Sequence, residues 1–452
     1  MKEEGRNVSI LSNVYFRLYG DRTYILNLSS GKSYLFNEMV YDILTIIKEN
    51  PGIDSDKLCY LLAEIYEVQD EHSFSLDINI FLQNLVDVGI LAEGSSVREI
   101  VPSSTTPEDL LTRHCRREHL LQNVTIELTY RCNERCAHCY VGDSDKYIQE
   151  ELTTQELFDL LDQLREMNVL NLTLTGGEVA VRDDFLDILR YAVKAGFLVS
   201  IFTNGIGLTE QMLDELAALP LRSVSFSLYS GNPQEHEDIT GIPGSYDRTL
   251  YAMLRLGCAG VKINVKTPVM RSTLKGFEAL HRMCMQFHFS HQVSYLICST
   301  NKGCLSPTRL RVSDVEQFKR LMRISAEDSS TVNIPYRVDE EPICGAGGDC
   351  LSINPYGMVF PCNGYSIELG NVRKESVRSI WEGQKVREIY QTRFSSLKDE
   401  CLRCIYKADC LYCPGAALSE NGDIREKIQE SCLIARAAFE LRHEGSTADA
   451  SE

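Results

Sequence analysis

A chain of 452 residues, 44% apolar and 24% charged, has the composition of a soluble globular protein and the length for two or three domains. Its net charge of −18 repels phosphate backbones, so nucleic acid is not an expected partner. No run reaches the ~18 apolar residues that span a bilayer, and the opening MKEEGRNVSI lacks the basic-then-apolar layout of a secretory signal. A cytoplasmic location without a membrane partner is therefore expected.

Residues 1–95 read as a small α+β unit. Val14–Leu18, Thr23–Leu28 and Ser33–Phe36 are rich in aromatic and β-branched residues, and a Ser29-Ser30-Gly31-Lys32 turn joins the last two into a meander. Helices follow over Asn37–Ile47, Ser55–Tyr66 and Leu76–Val88, the first with Val40, Ile43, Leu44 and Ile47 on one face. Three short strands and three helices predict a winged-helix-like module. Residues 96–118 carry Pro, Ser and Thr and read as a linker, with the basic RHCRR run (113–117) solvated. From 119 to 330, strand and helix periods alternate six times, with strands at Val124–Thr129, Leu170–Thr175, Leu198–Thr203, Ser223–Leu228, Val261–Lys266 and Gln292–Leu296. Repeated β-then-α units predict a parallel sheet closing into a partial (β/α)6 barrel, with chemistry at the C-terminal strand ends. Residues 331–440 lose regular periodicity and crowd with cysteine, so bound metal is expected to serve as their core. Residues 441–452 read as a disordered tail.

Seventeen cysteines without a signal peptide point to metal or catalytic sulfur rather than disulfides. Cys132, Cys136 and Cys139 form a CxxxCxxC triplet on the loop leaving the first barrel strand. Three close thiolates can hold three irons of a 4Fe–4S cubane and leave the fourth open to a chelating cosubstrate. The competing reading is a zinc knuckle completed by His138. His138 and Tyr140 flank the third cysteine and could lie near an adenine. The second strand ends in Thr175-Gly176-Gly177-Glu178, the third in Thr203-Asn204-Gly205 and the fourth in SFSLYSG (225–231).

These motifs resemble the radical S-adenosylmethionine (SAM) superfamily. The resemblance implies that Cys132, Cys136 and Cys139 ligate the SAM-binding cluster. It further implies that Gly176 and Gly177 let backbone approach the methionyl group, that Glu178 accepts from its ammonium, and that Asn204 and Ser227 contact the cosubstrate. Val179 stands where the family usually has proline.

Cys344, Cys350 and Cys362, then Cys401, Cys404, Cys410 and Cys413, and finally Cys432 give eight thiols, enough for two fully ligated cubanes or two zinc sites; spacing does not choose. The segment resembles the SPASM extension of radical SAM peptide-modifying enzymes. By that resemblance one auxiliary cluster takes Cys344, Cys350, Cys362 and Cys413, and the other Cys401, Cys404, Cys410 and Cys432. Cys410 and Cys413 are spaced CxxC where the extension usually has CxxxC. In sulfatase maturases of this architecture an Asp serves as base; Asn363 follows Cys362 here and opposes that activity. The remaining cysteines, Cys59, Cys115, Cys258, Cys284, Cys298 and Cys304, lack ligand spacing and are expected as small buried hydrophobes.

The N-terminal unit, through YILNLSSGKSYLFNEMVYDIL and LVDVGIL, resembles the PqqD-like recognition element of ribosomal peptide maturases. That implies a leader peptide added as a strand beside Ser33–Phe36 and packed on the Leu76–Val88 helix. The implied whole is a SPASM-type maturase with three 4Fe–4S clusters and SAM, fed by a donor such as flavodoxin or ferredoxin. It would form a cysteine thioether or a carbon–carbon crosslink in a precursor peptide. Alternatives are a redox-neutral or small-molecule radical SAM enzyme, such as an epimerase, and a zinc-filled scaffold.

Overall fold

The computed structural model describes residues 6–92, 107–142, 149–326 and 342–444. They fall into two compact units, Met1–Gln122 and Asn123–Glu452.

In the first unit, strands β1 (Asn7–Ile10), β2 (Val14–Tyr19), β3 (Arg22–Asn27) and β4 (Ser33–Asn37) precede helix α1 (Glu38–Glu49). Strand β5 (Ile53–Asp54), helices α2 (Ser55–Ile65) and α3 (Glu71–Asp87) and strand β6 (Leu91–Ala92) complete the module. The expected meander forms as β2-β3-β4, while β1 pairs with both β5 and β6 in a second small sheet that local periodicity did not reveal. Asp54 and Asp70 cap α2 and α3, each accepting from backbone amides of the first turn. Phe16 and Ile25 from the meander, Val40, Ile43, Leu44 and Ile47 from α1, and Ile78, Leu82 and Leu85 from α3 build one apolar core. Each such side chain contributes on the order of 1.5–3 kcal/mol by burial.

Residues 107–118 correct the linker expectation. They form helix α4 (Pro107–Glu118), in which Leu111 and Cys115 are fully buried. Within the basic run, His114 is buried too, its Nε2 lying 2.8 Å from the carbonyl of Tyr19. Charged residues mask this helix in the sequence because only one narrow stripe of it packs. The rest of the expected linker, 96–106, lies outside the described residues.

The second unit alternates β7 (Asn123–Glu127), α5 (Thr154–Glu166), β8 (Asn171–Thr175), α6 (Phe185–Lys194), β9 (Leu198–Thr203), α7 (Glu210–Ala218) and β10 (Ser223–Ser227). It continues with α8 (Pro233–Thr240), α9 (Ser245–Cys258), β11 (Ile263–Pro268), α10 (Phe277–Gln286), β12 (Ser290–Ser294) and α11 (Val315–Ala326). Strands β7 to β12 are parallel and neighbours in sequence order, the arrangement that right-handed crossovers produce. Along β9, β10 and β11 the face carrying Val199, Ile201, Val224, Phe226 and Val265 is fully buried against helices. The opposite face carries Ser200, Phe202, Ser223, Ser225, Ser227, Asn264 and Lys266, as the twofold alternation of strands requires. Asn264 Nδ2 donates to Ser225 Oγ at 3.3 Å across that inner face.

The cysteine-rich segment does not stand apart from the barrel. Strand β13 (Cys350–Ile353) pairs parallel with β7, and β14 (Met358–Phe360) and β15 (Gly370–Asn371) extend the same sheet to nine strands. Helices α12 (Val377–Trp381), α13 (Gln384–Tyr390), α14 (Asp399–Leu402), α15 (Pro414–Asn421) and α16 (Gln429–Glu444) follow. The segment also has an apolar core, formed by Ile343, Phe394, Leu397, Tyr412, Ala416, Ala417 and Ile428, which corrects the expectation of metal alone at its centre. Ile434 and Ala437 of α16 pack on Phe318 and Leu321 of α11, so the chain is helical through Glu444 where a tail was expected from 441. Residues 445–452 lie outside the described residues.

Candidate active site

The loop after β7 carries the cysteine triplet, and the glycine pair after β8 is what holds it. Gly177 N donates to Thr129 O at 2.7 Å and Glu178 N to Arg131 O at 3.0 Å. A Cβ on Gly176, whose φ is +140°, would stand 2.2 Å from Thr129 O, and one on Gly177 2.3 Å from Arg131 O. Only glycine permits this approach.

A cavity of about 730 Å³ opens at these strand ends. It is lined by Cys132, Cys136 and Cys139 and by every other barrel residue singled out from the motifs, His138, Tyr140, Gly176, Gly177, Asn204 and Ser227, except Glu178. Glu178 is 1% exposed and turned inward, its oxygens accepting from Thr203 Oγ1 at 2.7 Å, Asn204 N at 2.6 Å and Ala180 N at 3.0 Å. It braces the ends of β8 and β9 and stands behind the cavity wall.

The three thiols sense one another. Burial pushes Cys132 up to about 11 and Cys136 well above the ordinary thiol value, and Cys139 raises both further. Cys132 accepts from Glu134 N at 3.4 Å, and Asn204 Nδ2 lies 3.9 Å from its sulfur while donating to Asn133 Oδ1 at 2.7 Å. Thiols held protonated by burial release protons on binding iron. Among the described residues no three His, Cys, Asp or Glu side chains converge on one point as a single ion needs. A cubane takes each thiolate on a different iron and asks for no such convergence. Two buried polar atoms at the cavity lack partners, Glu134 Oε1 and His138 Nδ1. The donor set and these orphaned atoms fit a cluster with a polar cosubstrate on it.

Two wall residues, Tyr229 and Glu134, escaped the sequence reading. Tyr229 sits two residues past Ser227; its hydroxyl is 3.6 Å from Cys136 Sγ and its ring packs edge-on against His138 at 4.6 Å. Glu134 is 3% exposed inside the triplet loop, with Oε2 accepting from Cys136 Sγ at 3.1 Å. Cys304 is exposed in the cavity wall and Cys258 is also exposed, against the expectation of burial that Cys59, Cys115 and Cys284 follow. The spacing CNERC and the run SLYSG were visible, but burial and facing were not.

Charge coupling links Cys362 with Cys344 and Cys413 in one set and Cys401 with Cys404 and Cys432 in a second. Cys362 is pushed up to about 12 by burial first and then by Cys413 and Cys344, and Cys350 Sγ donates to the carbonyls of Gly345 and Pro361 at 3.3 and 3.6 Å. Cys413 caps α15, accepting from Ala416 N at 3.4 Å, and its thiol is pulled down by Cys298 and by those helix-end amides. In the second set, burial and then Cys432 raise Cys401, with Cys404 adding to it, and Cys404 likewise raises Cys432. Cys410 packs with Cys401 and Cys413 around Tyr412. Asn363, next to Cys362, reaches the first cavity. None of the seventeen cysteines is in a disulfide.

Residues 126–284 match the radical SAM superfamily, and residues 344–405 match the SPASM iron–sulfur cluster-binding domain. The chain is an enzyme that carries a radical SAM domain and a SPASM domain. Relatives of this enzyme include the AdoMet-dependent heme synthase of Methanosarcina barkeri, 27% identical over 331 residues, 67% of this chain and 94% of the relative. The subtilosin biosynthesis protein AlbA of Bacillus subtilis is 26% identical over 68% of this chain and 70% of its own length. The mycofactocin maturase MftC of Mycolicibacterium smegmatis is 29% identical over 62% and 74%. In fold, the enzyme is similar to Streptococcus suis SuiB bound to SAM, with a TM-score of 0.63 and 14% identity over 94% of this chain and 99% of SuiB. No helix among the described residues is long and apolar enough to cross a membrane.

Proposed function

We propose that the enzyme matures a ribosomally made precursor peptide by radical chemistry, forming a cysteine thioether crosslink, with a carbon–carbon crosslink the next candidate. The observation that carries this reading is the single cavity shared by the triplet thiols, the strand-end motif residues and Asn363 beside Cys362. Cys132, Cys136 and Cys139 would hold the SAM-binding 4Fe–4S cluster. Cys344, Cys350, Cys362 and Cys413 would hold one auxiliary cluster, and Cys401, Cys404, Cys410 and Cys432 the other. When bound, the first cluster and SAM supply the electron transfer that yields a 5′-deoxyadenosyl radical. The chain's own part is to shape the site. His138 and Tyr229 give an aromatic wall for adenine, Ser227 a hydroxyl for ribose, and Gly176 and Gly177 a bare backbone edge for the methionyl group. Asn363 offers no carboxylate to take up a proton, which separates this site from sulfatase maturation. The clusters that these eight cysteines would hold would supply a route for the electron left on the substrate after hydrogen loss.

Relatives with printed peptide roles, AlbA and the PqqA peptide cyclase, support a peptide substrate, as does the structure of SuiB bound to its precursor peptide SuiA. The N-terminal unit is proposed to bind the leader. β4 ends its three-stranded sheet with no further strand among the described residues. Phe36 of β4 meets Phe81 of α3 edge-on at 5.5 Å, and α3 exposes Leu76 and Ile80. A leader strand added to β4 would cover that apolar surface, and its tether would raise the local concentration of the core peptide. Domain bounds of 1–95, 119–330 and 331–440 remain the proposed functional division, with the cytoplasm its compartment and a flavodoxin or ferredoxin its donor.

The test is anaerobic reconstitution followed by mass spectrometry of the precursor encoded beside the gene. Roughly twelve irons per chain, 5′-deoxyadenosine release abolished by Cys132→Ala, and a peptide lighter by two hydrogens are expected. Zinc in place of iron with intact SAM would end this reading, and an unchanged peptide mass with altered stereochemistry would replace crosslinking by epimerisation.

A further inference from the structure

Lys266 stands on the inner face of β11, paired in register with Ser227 of β10, and Ser227 lines the cavity. Its ammonium lies 4.2 Å from the centroid of the Phe202 ring, which lines the same cavity. No described residue gives the Lys266 ammonium a hydrogen bond or an ion pair; among the described residues the ring face is its partner. Burial pulls its pKa below the ordinary lysine value, and no carboxylate among the described residues offsets the shift. An aromatic quadrupole repays only part of the cost of removing an ammonium from water.

We propose that Lys266 is an anion seat for the substrate, pairing with an Asp or Glu carboxylate of the peptide segment held beside the carbon that loses hydrogen. This rests on the peptide-maturing function proposed above. SAM brings a single carboxylate, and that function commits it to the open iron on the triplet loop. The seat lies instead on β11, beyond Ser227, where a substrate entering the polar inner face would reach it. A carboxylate there restores the missing counter-charge, fixes the register of the core peptide and disfavours neutral sequences, which would leave the ammonium buried alone.

The test uses the full, anaerobically reconstituted enzyme. Acidic residues of the core peptide are exchanged one at a time for their amides, Asp→Asn or Glu→Gln, and kcat/KM is measured with the wild type and with Lys266→Gln. One exchange should lower wild-type kcat/KM by about tenfold to a hundredfold, the range of a charge-assisted hydrogen bond. The same exchange should have no effect in Lys266→Gln. Using the ratio between two peptides cancels any change in SAM cleavage or folding. Discrimination that persists in Lys266→Gln, or no sensitive acidic residue in the wild type, overturns the seat. A second measurement needs no peptide turnover: reductive methylation of Lys266, followed by peptide mapping, with glutarate or with neutral glutaramide present. Glutarate should slow labelling by holding the amine protonated, and glutaramide should not; equal rates overturn the proposal. If the wild type modifies no peptide, the functional reading fails on its own and the labelling result decides the seat.

Discussion

Gly177→Ala puts a Cβ 2.3 Å from the carbonyl oxygen of Arg131 and 2.8 Å from that of Tyr130. A carbon–oxygen contact settles near 3.3 Å, so the backbone just before Cys132 must retreat by about 1 Å. Both atoms met are backbone, so no rotamer change relieves the clash. The retreat also strains the bonds from Gly177 N to Thr129 O and from Glu178 N to Arg131 O, each worth about 1 kcal/mol. Overpacking adds a stability cost of roughly 1–3 kcal/mol. A displacement of about 1 Å at reacting geometry can reduce rate on the order of a hundredfold. Gly257→Ala is the control: its Cβ would meet the Phe289 ring at 2.7 Å, a side chain that can swing, far from the triplet loop. Both variants should melt a few degrees low, but only Gly177→Ala should lose 5′-deoxyadenosine formation and iron at the triplet, read by product chromatography and iron content per chain. Equal losses in the two variants, or wild-type SAM cleavage in Gly177→Ala, would refute the view that this glycine sets the loop.

Leu76→Asp with Ile80→Asp should leave the melting temperature nearly unchanged, since both side chains are exposed, yet abolish leader-dependent peptide processing; undiminished processing rejects the leader site. Tyr229→Phe removes a hydroxyl 3.6 Å from Cys136 Sγ and should make the SAM-binding cluster harder to reduce, because hydrogen bonds to cluster sulfur favour the reduced state. Anaerobic potentiometric titration reads the shift, and an unchanged potential counts against the contact. Arg373 holds Glu156 down to about 2, burial opposing and the backbone amide and hydroxyl of Thr153, which caps α5, assisting. A folded pKa below the unfolded value of ~4.3 means the stabilisation is full above that pH and fades as pH falls toward 2. Glu156→Gln should therefore lower stability by about 1 kcal/mol at neutral pH, discounted for solvent screening, with the two proteins converging near pH 2 in denaturant titrations.

The triplet loop, the glycine pair, Asn204 and Ser227 could be read from the chain because each is a short local pattern at the end of a periodic strand. The six alternating units fixed the order of β7 to β12 for the same reason: their crossovers join neighbours. Helix α4 was hidden because a single buried stripe, Leu111 and Cys115, lies among charged residues. The joining of β13 to β7 was hidden by distance, since Asn123 and Asp349, bonded at 3.0 Å, stand 226 positions apart and leave no periodic trace. Spacing could nominate Glu178 for the cosubstrate, but only packing turned its carboxylate toward Thr203 and Asn204. Likewise Glu134, Tyr229 and Lys266 are ordinary letters in the sequence. Their character comes from burial and from what faces them, and both are properties of the folded chain.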